Sequence, residues 1–168
     1  MSKLQDQFDK LLEEQADLTK RFQEKAQELF KETTKEFFDR NPAITAVIWT
    51  QYTPYFNDGD TCEFSVHEPY FTNADSDQFE DIARHGEYDG DEEGVWSESD
   101  WIFTSDSKYC TDRRKEMNLE GTDPESISKF SRLIQSSEME DVMKAMFGDH
   151  VRVVATRDGF DVDDCDHD

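Results

Sequence analysis

Residues that break regular structure are scarce in this chain: 7 glycines and 4 prolines, with neither type before Pro42. That excludes a collagen-like or Gly/Pro-rich chain and leaves the first forty residues free to form unbroken helix. Cysteine is nearly missing too. Cys62, Cys110 and Cys165 are far apart, odd in number and without a C-x-x-C pair, so no zinc-site spacing and no disulfide framework is encoded. Reduced thiols in a cytosolic compartment are the expectation. No run approaches the roughly 18 apolar residues of a membrane span, and "MSKLQDQFDKLLEEQ" lacks the apolar core of a signal peptide. Base is missing where acid is densest: residues 51–100 hold 15 acids against the single base Arg84.

What is present is acid and aromatic rings. The net charge is −23, and apolar residues make up 35% of the chain, with 13 Phe, 5 Tyr and 3 Trp among them. Bulky rings let few positions bury a large area, so one domain with a modest core is expected beneath a highly charged surface. The acid is unevenly placed: residues 1–40 carry 10 acids and 8 bases, close to balance. Such a field repels nucleic acid and anionic membranes and attracts basic proteins or divalent cations. Solubility alone is the competing explanation of the charge.

The expected fold class is α+β, with a long amphipathic helix over residues 1–40 and an α+β domain over 41–168 that includes an acidic loop at 68–100. Leu4, Phe8, Leu11, Leu18, Phe22, Ala26, Leu29, Thr33 and Phe37 step by threes and fours, with Gln15 in register, until Asn41-Pro42. About 38 residues of helix span roughly 57 Å. Self-pairing as a coiled coil is the preferred reading, with a bend folding the helix back as the alternative. From Ala43 the period becomes two. Residues 43–53 read as a strand, residues 61–67 as its hairpin partner, and Asn57, Asp58 and Gly59 as the turn. Trp49 and Tyr52 fall on opposite faces of that strand.

Residues 68–100 read as a long connection carrying a short helix near 75–85, capped by Asp75 or Ser76. A third strand is predicted in "DWIFTSD", residues 100–106. Asp123-Pro124 opens a helix through 134, another runs over 137–147 to Gly148, and Asp158-Gly159 turns a final hairpin. Four or five antiparallel strands result.

Catalytic and cofactor signatures are few. "NDGD" at 57–60 and "DGDEE" at 89–93 have the composition of calcium loops without their spacing. Solvated loops are the simpler reading, and no metal or cofactor is expected. Cys62 and His67 alternate onto opposite sides of the proposed strand, which reads against a nucleophile pair and for Cys62 as a core residue. No zinc-hydrolase, nucleophile-elbow, P-loop or dinucleotide motif occurs, so enzymatic activity is unsupported.

A binding reading fares better. Asp58 and Asp60 at the hairpin tip, with Asp89, Asp91, Glu92 and Glu93 in the loop, concentrate carboxylates. Tyr52, Tyr55 and Phe56 supply apolar anchors of the kind that dominate interface energies. The bland alternative is that most rings in this region, Tyr70 and Phe71 included, pack inside. The run "WTQYTPYFNDGDTCEFSVH", preceded by a charged helix ending in "FFDRNP", resembles a family of uncharacterised small acidic proteins of tailed bacteriophages over roughly residues 1–70. That resemblance implies a phage protein acting in the bacterial host cytoplasm, and no assigned activity or site residues come with it. The functional expectation is therefore a non-enzymatic inhibitor of a basic host protein (a nuclease, restriction factor or other nucleic-acid-binding protein), engaged through an acidic, DNA-mimicking surface. The alternatives are an assembly protein that oligomerises through its N-terminal helix, and a small enzyme with an unrecognised site.

Overall fold

Asn41 explains why the first helix stops where it does. In the computed structural model, which describes residues 2–56, 58–84 and 94–166, α1 (Lys3–Arg40) is continuous. The Asn41 side chain donates to Phe37 O at 2.9 Å and to Ser126 Oγ at 2.7 Å, and its Oδ1 accepts from Asp123 N at 2.8 Å. A fully buried amide thus meets the helix C-terminus, and Pro42 then prevents continuation. Contacts divide the chain into two units, Met1–Thr33 and Thr34–Asp168. In the first, large apolar side chains from Leu4 to Leu29 are exposed.

The second unit is built on a six-stranded antiparallel sheet in the order β4-β3-β1-β5-β6, with β2 also pairing with β1. The strands are β1 (Ala46–Tyr52), β2 (Ser65–Val66), β3 (Tyr70–Thr72), β4 (Val95–Trp96), β5 (Val151–Thr156) and β6 (Gly159–Asp164). The helices are α2 (Phe79–Arg84), α3 (Lys108–Glu116), α4 (Pro124–Gln135) and α5 (Glu140–Phe147). The α+β class and its antiparallel sheet are therefore as expected from the sequence.

Alternation along β1 assigns the two faces. Val47, Trp49 and Gln51 point one way with Phe71, Val153 and Ala155 beside them in register. Rings close this face: Phe37 stacks on Phe130 of α4 at 4.6 Å, and Trp49 meets Phe147 of α5 edge-on at 5.7 Å. Buried Gln51 is fully paired, donating to Met143 O and Gly148 O at 2.9 and 2.8 Å and accepting from Trp49 Nε1 at 3.1 Å. The opposite face, with Ala46, Ile48 and Val154, is covered by Ile82 and Ala83 of the short α2.

Several expectations need correction. Residues 100–106 are not a strand: Trp101–Phe103 is a 3-10 turn, with Ile102 and Phe103 both buried. Asp100 accepts from Ser97 N at 2.7 Å to start the turn. The buried Arg114 guanidinium then takes the carbonyls of Ile102 and Ser105 at 2.6 and 2.9 Å, and the exposed Asp106 carboxylate at 2.8 Å. These bonds replace a strand ladder.

The hairpin partner over 61–67 shrinks to Ser65–Val66 because β1 runs out of donors. Thr53 N bonds to Asp149, and Pro54 has no N–H. Cys62 is accordingly half-buried and not a core residue. β3 and β4 lie inside the stretch read as connection. Asp75 holds the position before the 3-10 turn Ser76–Gln78, without a side-chain capping bond.

Candidate functional site

The end of β1 builds a compact polar knot that carries the predicted anchors. Asp149 receives Thr53 N at 2.7 Å, Thr53 Oγ1 at 2.6 Å and His150 N at 2.9 Å. Burial pushes its carboxyl upward. The hydrogen bonds from the Thr53 hydroxyl, the Thr53 amide and the His150 amide, with the His150 charge, outweigh that and hold it below the usual range. His150, at φ 56°, carries its ring flat against Tyr55, centroids 4.8 Å apart. Tyr52 stacks on His67 at 4.2 Å.

Tyr55 and Phe56 remain 66% and 76% exposed, so these two rings are surface and not core. Asp58 and Asp60 are exposed beside them. The expectation that most rings here pack inside holds only for Phe71, which is fully buried, while Tyr52 and Tyr70 are half-buried. Asp89, Asp91, Glu92 and Glu93 lie outside the described residues.

Concavity lies elsewhere in the second unit, by the opposite ends of β1 and β5. An open groove of about 730 Å³ runs beside α2 and across β5 and β6. Ala74, Phe79, Val154 and Val162 are among its apolar lining. Its carboxylates are Asp75, Glu80, Asp158, Asp161 and Asp163, all exposed. Asp161 and Asp163 sit two residues apart on one strand and so share a face, about 7 Å from one another. Asp161 lies across from Val154, and Asp163 from Arg152.

Thr45 fixes the neighbouring wall through bonds to Thr72 O and Ala74 O at 3.1 and 2.6 Å. Among the described residues of the lining, the base is Arg157, which donates to Phe38 O at 2.7 Å and lies over the Phe38 ring. Its charge is thus partly committed, and the lining is net negative. Apolar floor with acidic walls suits a lysine or arginine side chain, whose stem is apolar and whose head is cationic.

None of the groove's acids was singled out for binding from the sequence; Asp75 was read as a cap and Asp158 as a turn residue. "FDVDD" did carry the signal: after a hairpin turn, aspartates at every second position mark one face of a strand. Asp149 offered none, since its role depends on Thr53, nearly a hundred residues away. Among the described residues, no group of three or more His, Cys, Asp or Glu is arranged to hold a metal ion. No helix is long and apolar enough to cross a membrane. Comparison with protein-family models, curated proteins and solved structures found no match for this chain.

Proposed function

We propose that this chain is a non-enzymatic binding protein whose acidic surface takes up a basic segment of another protein. In the setting that the tailed-phage resemblance implies, the partner is a host nucleic-acid-binding or defence protein, and occupation of its basic surface inhibits it. The observation that carries this reading is the groove beside α2: five carboxylates around an apolar floor, with Arg157 engaged by Phe38. Surfaces that bind nucleic acid are rich in lysine and arginine, so an acidic surface competes for them. Tyr55 and Phe56, with Asp58 and Asp60, form a second exposed patch of the same chemistry.

The test is fluorescence anisotropy with a labelled amphipathic Lys/Leu helical peptide, followed by competition between this protein and duplex DNA for a basic DNA-binding protein. Affinity is expected to fall steeply with salt, because exposed charge pairs are screened over about 8–10 Å at physiological ionic strength. Joint reversal by Asp161→Lys and Asp163→Lys should weaken binding at least about tenfold. Affinity indifferent to both salt and reversal would overturn the reading.

A further inference from the structure

The first unit leaves a row of large apolar side chains in water. Leu4, Phe8, Leu11, Leu18, Phe22 and Leu29 are all exposed, from 71% at Leu4 to 47% at Leu29. With Gln15 and Lys25 they form a series whose steps alternate between four and three residues, the seam of a coiled coil. Leu12, also exposed, borders it.

The flanks say what covers the seam. Residues 1–40 carry 10 acids and 8 bases, so the polar side is not the basic face of a membrane-surface helix, nor one-signed like the rest of the chain. We infer that α1 pairs antiparallel with α1 of a second copy, a property separate from the acidic groove.

Register follows from the seam. With Gln15 opposite Leu18 of the second copy, Leu11 meets Phe22 and Leu4 meets Leu29. Phe8 then meets the aliphatic stem of Lys25. In this register Glu14 lies against Arg21 of the second copy, and Arg21 against its Glu14. Neither residue forms an ion pair with another described residue. Parallel pairing would set Glu14 against Thr19 and Arg21 against Ala26, leaving both charges without a partner.

The uncovered area also suits pairing of two copies. Seven side chains, each leaving on the order of 100 Å² uncovered, give on the order of 1,400 Å² over two helices, within the range of stable interfaces.

Sedimentation equilibrium of the full chain tests this. The expected result is a reversible dimer at twice 19.7 kDa. Phe22→Glu should abolish it while the circular dichroism and the unfolding of the second unit stay as in the wild type. Glu14→Arg and Arg21→Glu should each weaken association about tenfold by opposing like charges twice, and the double variant should restore it. A monomer at every concentration would overturn the inference, as would a trimer or larger assembly. A dimer that the double swap fails to rescue would overturn the antiparallel register. A monomer that instead sediments with zwitterionic lipid vesicles would assign the face to a lipid surface and overturn it equally.

Discussion

Phe22 and Phe37 sit on one continuous helix, and their surroundings differ completely. Phe22, in the first unit, is 59% exposed among charges of both signs; Phe37, in the second, is 3% exposed and stacked on Phe130. Residue type and helical period are the same in the two units. What changes is whether the chain supplies cover for the ring: Phe37 packs among Phe38, Phe71 and Phe130, whereas the seam from Leu4 to Leu29 is open to solvent. Identical local sequence logic thus builds core in one region and an open apolar seam in another.

The widest gap between the units should appear on ring removal. Phe37→Ala takes a stacked ring out of a closed core and should cost about 3–5 kcal/mol in urea unfolding of the second unit. A loss under 1 kcal/mol there would erase the contrast. Next comes Arg114→Met, which leaves the Ile102 and Ser105 carbonyls without their donor. A destabilisation of about 2–3 kcal/mol is expected, read by the same titration.

Asp149→Asn should remove about 1–2 kcal/mol by weakening charge-assisted bonds from Thr53 and His150. The pH dependence has a definite sign. Because the folded carboxyl titrates below its ordinary value of 3.8, its stabilisation is complete above that value and is lost as pH falls through the lower folded one. Acid unfolding followed by tryptophan fluorescence should therefore be less steep in the variant. The smallest effect belongs to Phe22→Ala, which in dilute protein should shift unfolding of the second unit by less than about 0.5 kcal/mol. A larger shift would mean that the Phe22 ring itself supports the fold of the second unit.

Long-period features were readable in the sequence and short, compensated ones were not. The 38-residue α1 and the hairpin at Asp158-Gly159 announce themselves through uninterrupted periodicity and turn chemistry. β3 and β4 are three and two residues long, too short for any alternation to register, and they exist because β1 and each other complete their ladders. The turn at Trp101–Phe103 was misread because its apolar run looks like a strand until Arg114 is known to take its carbonyls. Of the candidate site, the exposed tip at Tyr55 and Phe56 was legible as a turn. The groove was not, since its walls come from segments about eighty residues apart.

The acids of β6 have a consequence for how copies of this chain can assemble. β6 ends the sheet, and an outer strand with free backbone groups is a template for strand addition and unlimited growth. Asp161, Asp163 and Asp164 place like charge along that margin in every copy, so stacking strand on strand opposes acid with acid. An antiparallel helix pair is twofold and uses up its own surface. With addition at the β6 edge opposed, a self-limiting helix pair of the kind inferred above would not extend into a polymer along that edge.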